Sequence, residues 1–254
     1  MGIPLRCLRV QLILLLLAFV LVGCAEDKAL IKRQAQAKRD LGKSLLGDGN
    51  YAAGLNELLE AAKLDPDNPD LHNELAIAYR EMGMYNEAIT HFKRAIELRP
   101  RFSEAHNNLG TVYLIRADWN SAIDCFKKAL SNDLYATPHF ASNNLGLAYY
   151  NKGQFKLALE SYQKAIQAQP SFSRAYHNLG VTYEALNEWD KALEAYQESI
   201  RHAPDDPRSY LRLGKLYIRL NKPSLAIKNL EETIRLDERD VIAPEAKRLL
   251  ERIK

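Results

Sequence analysis

Apolar and small residues recur along this chain with a period of 34 residues, six times over. A large apolar residue is followed at once by a small one, as in Leu109-Gly110, Leu145-Gly146, Leu179-Gly180 and Leu213-Gly214. A tyrosine stands three positions later (Tyr113, Tyr149, Tyr183, Tyr217), then an alanine (Ala122, Ala158, Ala192, Ala226), then an aromatic residue or leucine (Phe126, Tyr162, Tyr196, Leu230). Self-similarity at this interval predicts an array of short units, each burying one face on the next. It argues against a globular domain that closes over an active-site cleft, and for a protein that holds something.

The residues within the period resemble the tetratricopeptide repeat, a pair of antiparallel helices. In that register the repeats run over 35–68, 69–102, 103–136, 139–172, 173–206 and 207–240. Gly42, Ala76, Gly110, Ala88 and Ala95 are small where helices must approach, and Leu75, Tyr79 and Phe92 fill the spaces between them. Tyr51, Tyr85, Trp119, Phe155 and Trp189 open the second helix of successive repeats. Pro66, Pro100, Pro170 and Pro204 end it, because proline cannot continue the hydrogen-bond ladder. The resemblance implies an all-α solenoid, a right-handed superhelix of six helix pairs. Two places depart from the pattern. The fourth repeat starts two residues late, after the segment 131–138, and the sixth has Pro223, Thr233 and Glu238 at positions otherwise aromatic, small and proline. Residues 241–254 then read as a cap, with a helix from Ala243 to Ile253 carrying Leu249, Leu250 and Ile253 on one side.

The N-terminus follows a different rule. Arg6 and Arg9 precede the apolar run from Leu12 to Val22, which is short of the roughly 20 residues a membrane-spanning helix needs. A basic start, a short apolar middle and small residues at the end predict a secretory signal peptide over residues 1–23. Leu21-Val22-Gly23-Cys24 resembles the lipobox of bacterial lipoproteins, in which the chain is cut before the cysteine and the thiol is acylated. The resemblance implies a covalent lipid, palmitate among its chains, on Cys24 and a short tether over 24–34; in that family Asp just after the cysteine commonly retains the protein at the inner membrane, and this chain has Ala25 there. Export to the periplasmic face of the outer membrane is then expected. Two or three acyl chains, at about 0.8 kcal/mol per buried CH₂, hold a protein there stably.

Composition narrows the partners. The formal charge of +3 falls to +1 without Arg6 and Arg9, so there is no electrostatic footprint for nucleic acid. Cys7 leaves with the signal and Cys24 is the expected acylation site, so Cys125 has no partner for a disulfide. There is no C-x-x-C, no zinc-like spacing of Cys and His, no nucleophile–base pair and no phosphate loop. No enzyme, no metal, no cofactor besides the lipid and no small-molecule substrate are expected.

In tetratricopeptide-repeat proteins the first helix of each pair lines a concave groove, with positions 2, 5, 6, 9, 12 and 13 of the repeat facing it. Position 6 holds Asn108, Asn144 and Asn178, and position 5 holds Asn73, Asn107 and Asn143. Carboxamides both donate and accept, and so suit the backbone of an extended peptide. Ile77, Leu114, Ile115, Phe140, Leu147, Tyr150 and Val181 would seat its apolar side chains. In the sixth repeat Arg208, Arg212, Lys215 and Arg219 share one helical face, a stripe suited to an anionic group or simply a solvated face. Position 9 lacks the asparagine that the carboxylate-clamp subclass uses for chaperone C-termini.

The layout resembles the pilotins of type IV pilus systems, the PilF, PilW and Tgl type, which are lipoproteins of six such repeats. Segment 133–138 followed by Asn144-Leu145-Gly146-Leu147 resembles the interruption in their array. That implies an adaptor supporting localisation and assembly of a secretin, the outer-membrane pore of the pilus. The alternative is a lipoprotein scaffold for cell-wall enzymes or another envelope assembly.

Overall fold

A computed structural model describes residues 28–253, and within them the chain is built from helices with no strand. The expected signal peptide, Cys24 and the tether up to residue 27 lie outside the described residues, and residues 28–34, expected as tether, are helical. Helix α1 covers residues 28–47. It is followed by α2 (Tyr51–Leu64), α3 (Pro69–Glu81), α4 (Tyr85–Leu98), α5 (Ser103–Ile115), α6 (Trp119–Leu130) and α7 (Pro138–Asn151). Then come α8 (Phe155–Ala168), α9 (Ser173–Ala185), α10 (Trp189–His202), α11 (Pro207–Arg219), α12 (Pro223–Leu236) and α13 (Ala243–Ile253). The chain divides into a compact unit that ends at Ala105 and a second that begins at His106.

The two helices of each pair are joined by a reversal of three residues, and the middle residue is left-handed in all six. Gly49, Gly83 and Gly153 have φ between 75° and 77°, Ala117 has 57°, Asn187 has 60° and Asn221 has 54°. Glycine reaches this region without steric cost and asparagine with little. Ala117 pays that cost in full. So short a link leaves the second helix no course except back along the first. Pro69, Pro138 and Pro207 occupy the first turn of α3, α7 and α11, where no backbone donor is needed. Asn50, Asn68, Asp118 and Asp206 cap α2, α3, α6 and α11 through side-chain oxygens. The helices before Pro66, Pro100, Pro170 and Pro204 stop two residues short of each proline.

Close packing within a pair depends on one small and one large residue. A Cβ built on Gly146 would lie 2.5 Å from the ring of Tyr162, and on Gly180 2.5 Å from Tyr196. On Gly110 it would lie 2.6 Å from Phe126, on Gly214 2.7 Å from Leu230 and on Gly42 2.8 Å from Leu58. Those large side chains are fully or almost fully buried, so they have nowhere to yield.

In the first unit Leu55, Leu58, Leu71, Leu75 and Ala78 form the core between α2 and α3. In the second unit a core of Phe126, Leu145, Tyr149, Tyr162 and Leu179 runs from α6 to α9. Farther on, Tyr196, Leu213, Leu216 and Tyr217 join α10 to α11. At the interruption α6 ends at Leu130 and Tyr135 takes the place of a terminating proline by burying itself against Ala129 and Ala141. At the end of the chain α13 packs Ala246 and Leu250 on Leu211 and Leu230. It is fixed at its start by the Asp237 carboxylate, which accepts the amides of Ile242 and Ala243 at 2.5 and 2.7 Å. The hydrophobic side expected of this cap is the side it buries.

Candidate functional site

The asparagines of α5, α7 and α9 bond to one another. Asn178 donates from Nδ2 to Oδ1 of Asn143 at 2.8 Å, and Asn144 donates from Nδ2 to Oδ1 of Asn107 at 3.2 Å. Asn143 in turn reaches Asn144 at 3.5 Å. The result is an amide ladder over three successive first helices, in which position 6 of one repeat bonds position 5 of the repeat before it. Asn143 is 2% exposed and is spent on this interlock. Asn107, Asn144 and Asn178 are half-buried and hold the remaining polar valences at the surface. Asn108 lies beside Asn107 on α5, and Asn73 lies on α3 in the first unit; both are half-buried.

In the first unit the same two positions carry charge. Arg39 on α1 donates from Nε and Nη2 to both oxygens of Glu74 on α3, at 2.8 and 2.7 Å. Lys43 stands 3.5 Å from the same carboxylate. Glu74 is 8% exposed, and its hydrogen bond to Arg39 holds the guanidinium pKa above its ordinary value. The sequence reading missed this pair because it looked for asparagine at positions 5 and 6. Read in register, Arg39 and Glu74 occupy those positions.

The apolar residues expected on this face divide into two groups. Phe140, 41% exposed, packs against His139 and Phe172 with centroids at 4.2 and 5.3 Å, and Ile115 is 51% exposed. Leu147 and Ile77 are half-buried, and Tyr150 tilts against Phe155. Leu114 and Val181 are half-buried as well, and pack with one side against the cores of the second unit, as Tyr150 does.

Each cation of the sixth-repeat stripe already has a partner. Arg208 grips Asp206, Lys215 meets Glu245 at 2.6 Å, Arg212 stands 4.0 Å from Glu184, and the Arg219 guanidinium lies 4.1 Å above the Trp189 ring. Glu184 also accepts the Tyr196 hydroxyl, whose pKa is raised by burial and by that carboxylate. The stripe is thus a set of ties from α11 to α9, α10 and α13.

Beneath it lies a buried relay that sequence reading did not single out. Ser209 donates to Ser199 at 2.9 Å, so it accepts from Nδ1–H of His177 at 2.8 Å. Burial, together with Arg208 and Arg212, lowers the His177 pKa to about 4, and the imidazole is neutral at physiological pH. Among the described residues no group of three metal-ligating side chains occurs, and no helix is long and apolar enough to cross a membrane. Cys125 is buried in α6.

A solenoid of helix pairs interlocked through their first helices defines a class, and family models agree. Tetratricopeptide-repeat models match residues 143–207 and 207–240, and a TPR repeat model matches 42–83 and 77–115. The chain belongs to the tetratricopeptide-repeat family, whose members are protein-interaction modules. Among solved structures it is similar to PilW, described as a widely conserved type IV pilus biogenesis factor. The identity is 22% and the TM-score 0.76, covering 85% of this chain and 98% of that one. It is similar to Pseudomonas aeruginosa pilF at 19% identity and TM-score 0.74, covering 86% of this chain and 98% of that one. A third similarity is to YrrB, a TPR protein with an unusual peptide-binding site, at 20% identity and TM-score 0.55, covering 75% of this chain and 97% of that one. No curated protein matches the chain by sequence.

Proposed function

We propose that this protein is a lipid-anchored adaptor of the bacterial outer membrane that binds a protein partner along its first helices and supports secretin assembly for a type IV pilus. The observation that carries the reading is co-extension: the fold matches 98% of PilW and 98% of pilF while using 85% and 86% of this chain. The lipobox-like Leu21-Val22-Gly23-Cys24 supplies the membrane attachment. The ladder of Asn107, Asn143, Asn144 and Asn178 supplies a surface whose side chains are fixed before a ligand arrives, which lowers the entropy lost on binding. Exposed Phe140 and Ile115 supply apolar contacts. The protein performs no chemistry in this role. Tethering it beside the membrane raises the effective concentration of secretin subunits and orients them.

Deletion of the gene tests the role. Heat-stable secretin multimers should disappear from the outer membrane while secretin monomer is still made, and surface pili should be lost. Normal multimers in the deletion strain would overturn the pilotin role and favour a scaffold for cell-wall enzymes. Intact-mass spectrometry of the membrane-purified protein tests the anchor separately: it should show loss of residues 1–23 and acyl chains on Cys24.

A further inference from the structure

The second unit also carries a cavity that the groove reading does not use. Leu145 and Tyr149 lie on the far side of α7 from Asn143 and Asn144, by the helical periodicity. They floor a cavity of about 290 Å³ between α6 and α8, together with Leu130 and Leu157. Leu157 is 39% exposed, a large apolar side chain left open to solvent at the mouth. The last turn of α6 forms one wall, directly before the segment 131–137 where the repeat register breaks.

The charges at the rim are Lys127, Lys164 and Glu160. The Lys127 ammonium stands 5.9 Å from the Tyr149 ring centroid. Among the described residues neither lysine is tied into an ion pair, in contrast to Arg208, Arg212 and Lys215 of the sixth repeat. An apolar floor under a rim of net positive charge, two lysines against Glu160, is complementary to an apolar group that carries negative charge beside it. The volume is near the small end of ligand pockets, which run from about 300 to 1,000 Å³. It suits one anchoring side chain, in the manner of an interface hot spot, and is too small for a folded surface.

We propose that this cavity is a second docking site, which receives a large apolar side chain flanked by a carboxylate from a protein partner. The probe is N-acetyl-aspartyl-phenylalaninamide, titrated into the isotope-labelled protein and followed by the NMR signals of Leu145, Tyr149 and Leu157. The aspartyl-alaninamide and lysyl-phenylalaninamide analogues serve as controls. Saturable shifts at these residues are expected, with affinity at least about fivefold above either control. Lys127→Glu combined with Lys164→Glu should abolish the preference over the lysyl analogue. Leu157→Gln, at an exposed position that leaves the core intact, removes the apolar mouth without adding charge and should weaken binding at least about fivefold. Equal shifts from all three dipeptides, shifts confined to Asn107, Asn144 and Asn178, or binding unchanged by Leu157→Gln would each overturn the proposal. The titration involves neither Cys24 nor a secretin, so its outcome is independent of the pilotin reading.

Discussion

The two units make the same repeat-to-repeat link with different chemistry. In the first, Arg39 and Glu74 form a two-pronged ion pair; in the second, Asn178 bonds Asn143 and Asn144 bonds Asn107. The positions are equivalent, and each link joins the first helices of successive repeats. The ion pair is the stronger contact while intact, because both groups are charged and two bonds are parallel. It is also the more exacting one, because loss of either partner strands a charge. The amide links are individually modest, at about 0.5–1.5 kcal/mol each, but they chain together and leave no net charge on the surface they organise. The difference suggests a division of labour: the charged link fastens, and the neutral links fasten while keeping a face open to a ligand's backbone.

The largest perturbation of that comparison should come from beneath the ladder. Gly146→Leu drives a side chain into Tyr162, where even a Cβ would lie 2.5 Å from the ring. It should cost about 3 kcal/mol or more, at or beyond the usual range for overpacking. Hydrogen exchange should show the second unit opened and α1–α3 still protected. Equal loss of protection in both units would mean that they unfold as one.

Next in size is the link itself. Glu74→Ala leaves Arg39 without its carboxylate and should cost about 3 kcal/mol, the lower end for a broken buried pair because Arg39 keeps 18% of its side-chain surface in water. Asn143→Ala removes an acceptor and a donor and should cost about 1–2 kcal/mol. Urea denaturation of the two variants checks the order, and a larger effect for Asn143→Ala would reverse the comparison.

Acid should separate the units more gently. His177 has its pKa lowered to about 4 by burial, against about 6.5 when unfolded. Between these values the unfolded chain binds a proton that the folded chain refuses. Stability from this group is therefore complete above pH 6.5 and lost as the pH falls towards 4. The loss should approach about 2–3 kcal/mol. His177→Gln should flatten that slope, as read by thermal melts at pH 7 and pH 4.5. In the first unit Asp70 is held below its ordinary pKa by its hydrogen bond to Arg99, so its contribution is complete above the unfolded carboxyl's pKa of about 3.9 and is lost as the pH falls from there through the depressed folded value.

The smallest effect should be a gain. Ala117→Gly removes the left-handed strain at the one reversal that lacks glycine or asparagine, and should stabilise the second unit by about 1 kcal/mol. A lowered melting temperature would show that the alanine methyl is needed.

How much of this could be read from the chain depends on whether the information is periodic. The small–large pairs such as Gly146 with Tyr162 repeat in every unit, so the helix pairs and their close contacts were legible. The terminating prolines, Pro66, Pro100, Pro170 and Pro204, being local, were legible too. The asparagines were visible as a series, but their partners were not. A bond from Asn178 to Asn143 spans 35 residues and appears only when adjacent repeats are laid side by side at offset positions. The charged pair escaped because its chemistry differs although its register is the same. The cavity beside Leu157 borders the segment where the register breaks, and its lining comes from three helices with no motif of their own. The His177–Ser209–Ser199 relay joins ordinary residues of α9, α10 and α11 and has no motif.

One consequence of the link at positions 5 and 6 concerns modularity. Repeat arrays invite shuffling, since every unit has the same length and shape. Here the junction of the first and second repeats pairs charges, while the third with the fourth and the fourth with the fifth pair amides. Transplanting the fourth repeat to follow the first would set the Asn144 carboxamide against Arg39, where a carboxylate is needed, and leave the guanidinium half-satisfied. The charged junction is therefore not interchangeable with the amide ones, and an array rearranged across it would need its socket recoded along with its plug.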